Sequence, residues 1–140
     1  MIRKYKENDL DVIMKIWKEE NINAHKFILK EYWENNYEYV KNILPNAEIW
    51  VYLLNGEIIG FIGLNEYFIE GIFIKKEFQN KGIGTQLIKN IMKQKEKLSL
   101  RVYEKNSKAI NFYTKNAFKI KEKEIDKDTG ESEYLMEWRV

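Results

Sequence analysis

Residues 77–92 read EFQNKGIGTQLIKNIM, with Gly82 and Gly84 placed where an apolar helical run begins. A strand, a tight loop and a helix N-terminus in succession form an anion site. The first helical N–H groups have no intrahelical partner, and the helix dipole adds partial positive charge. Glycine admits a phosphate close to the backbone, and Lys81, with Lys75 and Lys76 close by in sequence, adds charge. The loop 79–85 therefore reads either as a cradle for a phosphate or pyrophosphate, or as a plain tight turn. It is not a Walker A loop, because no Gly-Lys-Ser/Thr follows at the required spacing. Nor is it a dinucleotide fingerprint, because Leu87 stands where the third glycine belongs.

Glu70 is an acid inside the apolar run YFIEGIFI, residues 67–74. A carboxylate there costs desolvation unless it is paired or sits at a cleft. Burial would raise its pKa toward the range of a general base. Two readings stand: a base, acting directly or through water, and a solvated or lysine-paired residue at a rim. His25 is the only histidine and there is no cysteine. That removes disulfides, thiolate nucleophiles and thiolate or multi-histidine metal sites, so no metal is expected. His25, Phe27, Tyr32 and Trp33 read as an aromatic acceptor wall with one titratable group, or as ordinary core. Glu31, Glu34 and Glu38 share one helical face that attracts cations or simply meets solvent.

The elements that must position these residues follow from periodicity. A short strand at 2–5 precedes a helix that Asn8 is expected to cap. Leu10, Ile13, Met14 and Trp17 share one face of it. Residues 23–28 interrupt, and a second helix over about 28–43 presents Trp33, Tyr37, Val40 and Leu44 before Pro45 ends it. Apolar runs flanking Asn55-Gly56 predict a hairpin with a type I′ turn. Strands are expected at 67–74 and 97–103, joined through a helix that begins after the glycine pair and ends near 95. That helical crossover makes the two strands parallel. Asn106 opens a helix to about 115, and strands near 117–124 and 132–139 close the chain. The 140 residues fit one domain, 1–140, of α/β class with a mixed sheet.

Twenty-four basic against 22 acidic residues leave too little net charge for an obvious nucleic-acid surface. No apolar stretch reaches the roughly 18 residues of a membrane span. The opening MIRKYKENDL lacks the apolar segment of a signal peptide. A soluble, cytoplasmic protein that binds neither nucleic acid nor membrane is expected.

Gln79-Asn80-Lys81-Gly82-Ile83-Gly84 resembles the Q/R-x-x-G-x-G/A signature of the GCN5-related N-acetyltransferases, the GNAT superfamily. Asn106, Ala109, Phe112 and Tyr113, in NSKAINFYTKNAF, resemble its N-x-x-A-x-x-F-Y segment. The order of elements agrees from end to end. The stretch AHKFILKEYW is also similar to a small bacterial subgroup with His-x-Phe near the first helices, some of whose members act on protein lysines. One departure stands out: the family usually has Gly-Phe after the tyrosine, where this chain has Ala117-Phe118. Asn116 is expected to take over the left-handed helix end.

The resemblance implies a mostly antiparallel sheet of about seven strands, with strands 4 and 5 parallel and splayed, flanked by four helices. It implies acetyl-CoA as co-substrate in the splay. Ile72, Phe73 and Ile74 would meet the pantetheine arm. Gln79, Asn80, Lys81, Gly82, Ile83, Gly84 and Thr85 would hold the pyrophosphate. Asn106, Ala109 and Phe112 would complete the coenzyme site. Tyr113 becomes the acid that protonates the departing thiolate, Glu70 the base, and an N–H near Ile72 the oxyanion donor. His25, Phe27, Tyr32 and Trp33 would bind the acceptor, a protein lysine or small amine. Without cysteine, direct transfer in a ternary complex is the simplest route. The alternative is a binding module that keeps the acyl-CoA site without chemistry. The protein would act as a monomer or homodimer.

Overall fold

The computed structural model describes all residues, 1–140. Its elements run β1 (Ile2–Lys4), α1 (Leu10–Ala24), α2 (Lys30–Ile43), β2 (Glu48–Leu54), β3 (Glu57–Asn65), β4 (Phe68–Ile74), α3 (Ile83–Met92), β5 (Lys97–Tyr103), α4 (Ser107–Lys115), β6 (Lys119–Ile125) and β7 (Ser132–Arg139). The strands form one sheet in the order β1-β2-β3-β4-β5-β7-β6. Only β4 and β5 are parallel, as the helical crossover predicts. No helix is long and apolar enough to cross a membrane.

Each face of the sheet carries its own core. On one, α1 and α2 lay Ile13, Met14, Ile16, Trp17 and Trp33 against Ile49, Val51, Ile58 and Phe61. On the other, Ile83, Leu87, Ile88 and Ile91 of α3 and Tyr113 of α4 pack on Ile59, Ile62, Ile69, Leu98 and Leu100. The β2–β3 turn has Asn55 at φ 52° and Gly56 at φ 79°, the paired positive angles that a type I′ turn requires.

Two local expectations are corrected. Asn8 does not cap α1. It lies inside a 3-10 turn, Glu7–Asp9, and Asp9 does the holding instead. The Asp9 carboxylate accepts the Lys6 N–H at 2.8 Å and takes Arg3 in a two-pronged pair at 2.8 and 3.0 Å. A charged donor offsets the cost of enclosing the acid. That pair holds the Asp9 carboxyl below its ordinary pKa and ties β1 to the start of α1.

The second correction lies at the end of α4. Asn116 keeps φ −96°, and Ala117 itself turns left-handed at φ 71°. Phe118 N–H donates to the Tyr113 carbonyl at 3.0 Å and Ala117 N–H to the Thr114 carbonyl at 3.1 Å. These are the two bonds of a Schellman motif, and the Phe118 ring closes on Tyr113 at 5.6 Å between centroids, the apolar contact that accompanies it. Hydrogen bonds fix the helix end, so the alanine accepts the strain that glycine would avoid.

Ala117→Gly is therefore expected to raise unfolding stability by about 1 kcal/mol, measured by urea denaturation, with acetyl-CoA affinity unchanged.

Candidate active site

The site begins with a fault in β4. Gly63 pairs with Gly71, but the next pair is Leu64 with Ile69, which leaves Glu70 as an extra residue. Such a bulge bends its strand and sharpens the twist. Pairing to β5 stops at the same place: only Phe68 with Ser99 and Ile69 with Leu100 are in register. Beyond them β4 stays bound to β3 as far as Ile74, and β5 to β7 as far as Tyr103. The two parallel strands separate toward their C-terminal ends.

The register also says which backbone groups face the opening. Lys75 N–H donates to the Ile59 carbonyl at 2.8 Å. Antiparallel partners alternate between bonded and unbonded pairs. Stepping back along Lys75, Phe73 and Gly71, these bond to β3, so Ile72 and Ile74 turn their N–H and C=O toward the gap. The Ile74 carbonyl, so directed, accepts Gln79 Nε2 at 2.8 Å.

The glycine loop closes one end of the gap. Gly82 caps α3 at φ 83° and ψ 4°, and Asn80 is also left-handed at φ 63°. The first helical bond runs from Gln86 N–H to the Gly82 carbonyl, so the amides of Ile83, Gly84 and Thr85 have no partner within the helix. The two glycines serve different ends. Gly82 supplies the left-handed turn. Gly84 supplies clearance, since a Cβ there would lie 3.1 Å from two atoms of the Phe112 ring. The Gly84 clearance thus lets α3 approach the Phe112 ring of α4.

Gln79 is the hub of the loop. Its Nε2 donates to Glu20 Oε1 at 2.8 Å as well as to Ile74, and its Oε1 accepts Lys108 Nζ at 2.9 Å. One amide thereby joins α1, β4 and α4. Glu20 is buried; burial raises its pKa, and the bonds from Gln79 and the Lys76 backbone oppose that rise. Neither Glu20 nor Lys108 was singled out in the sequence. A signal existed for Glu20, because it continues the 10-13-14-17 stripe of α1, where a polar side chain needs a partner. Of the lysines expected at the loop, Lys81 is exposed near it and lies over the Phe78 ring. Lys75 instead pairs with Glu57 at 2.8 Å, beside the β2–β3 turn.

Tyr113 is buried among Phe112 and Phe118. Burial alone pushes its phenol pKa well above the ordinary value. Glu70, by contrast, is exposed, and its Oε1 accepts Asn65 Nδ2 at 3.0 Å. The bulge turns the carboxylate outward on the α1–α2 face, so Glu70 is not buried within the apolar run.

His25, Phe27, Tyr32 and Trp33 do come together. His25 stacks on Trp33 at 5.2 Å and meets Phe27 edge-on at 5.7 Å; Tyr32 meets Trp33 at 4.9 Å. Tyr103, at the open end of β5, joins them at 5.2 Å from His25 and donates its hydroxyl to Asp126 at 2.5 Å. Periodicity could not assign Tyr103 and Asp126 to this wall, since a strand end and a distant turn supply them. His25 is less free than a binding residue would be. Its Nδ1 contacts the Asn21 carbonyl at 3.0 Å and its Nε2 contacts Asn106 Nδ2 at 3.2 Å. Asn106 Oδ1 accepts the Ala109 N–H as the cap of α4, so Nδ2 is the donor and His25 is the neutral Nδ1–H tautomer. Desolvation lowers its pKa to about 4. A single imidazole thus fastens the end of α1 to the start of the helix that carries Tyr113. Glu31, Glu34 and Glu38 lie on the exposed side of α2.

A sheet opened between two parallel strands, with a helix N-terminus at its edge, is the architecture shared by a large class of acyl-group transferases. Residues 10–118 match the sequence model of the Acetyltransferase (GNAT) family. The chain is 32% identical over 142 residues to the peptidyl-lysine N-acetyltransferase YiaC of Escherichia coli K12, spanning 100% of this chain and 97% of that one. The fold matches the solution structure of apo YjaB from Escherichia coli with a TM-score of 0.87 at 23% identity, over 99% and 96% of the two chains. It also matches yncA from Salmonella typhimurium, solved with its cofactor acetyl-CoA, with a TM-score of 0.71 at 15% identity over 99% and 92%. The chain belongs to the GNAT family and is an N-acetyltransferase.

The His25 clasp makes a pH prediction. The folded pKa lies below the unfolded value of about 6.5, so the unfolded chain takes up the proton first. Stability from this group is complete above the unfolded value and falls as pH drops from about 6.5 toward 4. Urea unfolding between pH 7 and 4.5 is expected to lose roughly 2 kcal/mol more in the wild type than in His25→Gln.

Proposed function

We propose that this enzyme acetylates lysine side chains of proteins, taking the acetyl group from acetyl-CoA by direct attack in a ternary complex. The observation that carries the proposal is the opening between β4 and β5, where Ile72 turns its N–H and C=O and Ile74 its N–H to the gap and the α3 amides stand at one end. The names of the peptidyl-lysine relatives support the choice of acceptor.

Acetyl-CoA supplies the thioester when bound. The residues present fit it. The edge of β4 at Ile72 and Ile74 suits an extended amide-bearing arm, which would bind as an added strand. Phe73, between them, turns its side chain to the other face and packs on Phe61 at 5.2 Å. The amides of Ile83, Gly84 and Thr85, with Lys81, suit a diphosphate at the helix N-terminus. Gln79 holds the loop in shape through its side-chain amide, Asn80 turns it at φ 63°, and Asn106 with Ala109 and Phe112 fixes α4 beside it. The Ile72 N–H is the donor for the negative charge that develops on the reacting oxygen.

Tyr113 gives a proton to the leaving sulfur. Phenol and thiol differ by about 1.5 pKa units in water, roughly 2 kcal/mol uphill. Burial raises the tyrosine in the free enzyme, but a thiolate placed in the same apolar surroundings is raised too. The difference between the pair governs the transfer, and a preformed hydrogen bond lowers it further. Glu70, exposed and held by Asn65, receives the proton of the incoming ammonium through solvent and attracts its charge. His25 contributes position: its low pKa and its two ring contacts leave it unsuited to proton transfer. A cytoplasmic site of action follows from dependence on an intracellular coenzyme.

Purified protein mixed with acetyl-CoA and lysine peptides is expected to release free thiol, with mass spectrometry locating the acetyl group on the ε-amine. Coenzyme binding without thiol release would favour a non-catalytic acyl-CoA module. Tyr113→Phe is expected to lower kcat by about 100-fold while leaving acetyl-CoA affinity nearly unchanged; wild-type turnover would remove the acid. Gly82→Glu is expected to weaken acetyl-CoA binding by at least about tenfold, through charge at the helix N-terminus, with cooperative unfolding retained. Unaltered affinity by calorimetry would count against the phosphate loop.

A further inference from the structure

The β4 bulge leaves a depression in the sheet on the α1–α2 face. Gly63 and Gly71 are direct partners across β3 and β4, so two facing positions of the sheet carry no side chain. Trp17 of α1, Val40 and Ile43 of α2, Leu44, and Phe61 and Phe73 of the sheet wall a cavity of about 180 Å³ over that floor. Asn65 and Glu70 are the polar residues at its edge. Apolar cavities of about 150 Å³ are large enough to take a benzene-sized molecule. This one opens to the surface, and Ile43 at its lip is 45% exposed.

The neighbours of this cavity say what enters it. Glu70 lines it and stands one glycine away from Ile72, whose N–H faces the gap between β4 and β5. The Glu70 carboxylate is exposed and steadied by Asn65 at 3.0 Å, so it complements a cation arriving beside an apolar group. An acceptor lysine drawn to Glu70 thus places a neighbouring residue of its own chain over the cavity mouth. We infer that this cavity is a specificity pocket, which admits an apolar side chain of leucine or phenylalanine size next to the acetylated lysine. The inference rests on the protein-lysine reading and adds a sequence preference to it.

The pocket can be filled without disturbing the strand. Gly63 does not have a positive φ. A Cβ built on it meets only Ile49 Cγ1 and Leu44 Cδ1, both at 3.9 Å, an ordinary contact distance. Gly71 offers no such choice, because its Cβ would overlap the Phe73 ring.

The test uses peptides with a single lysine in a glycine-serine background, with leucine placed at each of the four flanking positions in turn. The full chain and acetyl-CoA are the other components. Wild-type kcat/KM is expected to rise about tenfold or more with leucine at one flanking position, the worth of an apolar group in a fitted pocket. Gly63→Val is expected to erase that preference while keeping acetyl-CoA affinity and turnover of the leucine-free peptide. Ile43→Asp, at the exposed lip, is expected to do the same and serves if the valine variant does not fold. Equal kcat/KM for all peptides, or a leucine preference that survives both variants, overturns the pocket and leaves lysine acetylation standing. If no peptide is acetylated or bound while acetyl-CoA binds normally, the lysine reading and the pocket fall together.

Discussion

The site depends on one mismatch in hydrogen bonding: β4 and β5 begin as parallel partners and then cease to be. Each strand remains saturated on its far side, β4 by β3 and β5 by β7, so the near edges can part without either strand unravelling. The extra residue at Glu70 supplies the bend that starts the separation. An open edge inside a sheet is ordinarily an invitation to pair with another chain. Here it is short and recessed between two strands.

A wedge of this kind must be held at its margins. Two polar links do so, each running from the last turns of α1 to the start of α4. Gln79 spans Glu20, Ile74 and Lys108, which ties the glycine loop to both layers of helices. His25 and Asn106 join the end of α1 to the cap of α4. Buried polar groups left without partners are costly, whereas satisfied networks specify one arrangement. Both links cross the plane of the sheet, where apolar packing alone would not fix the spacing of the helices. The Schellman motif after α4 does the same for Tyr113 on a smaller scale, closing Phe118 onto its ring.

The two faces of the opening differ in character. On the α3–α4 side Tyr113 lies in a dry core that keeps its phenol neutral. On the α1–α2 side Glu70 is wet and lines an apolar hollow, and His25, Phe27, Tyr32, Trp33 and Tyr103 form an aromatic wall. This asymmetry suits a reaction in which a cation enters from water and a sulfur leaves within the protein. Polar and apolar environments are divided by the sheet itself.

Much of this was legible in the residues alone. Asn55-Gly56 dictates its turn, because few residues accept two positive φ angles in succession. The apolar periodicities of α1, α2 and α3 place their buried faces, and the glycine loop marks the start of α3 through the left-handed turn at Gly82. Such features depend on neighbours in the chain. The rest depends on pairs far apart in it. That Glu70 is a bulge residue and therefore exposed follows from register against β3. That Gly84 makes room for Phe112, that Lys108 and Glu20 meet on Gln79, and that Tyr103 and Asp126 complete the aromatic wall follow from packing between layers. Even the left-handed residue after α4 moved from Asn116 to Ala117, because the bonds back to Tyr113 and Thr114 outweigh an alanine's preference. Local sequence determined which elements form and where a helix start is left with unpaired amides. Tertiary contacts decided which side chains are buried, paired or free, since those properties belong to the neighbours a residue acquires on folding.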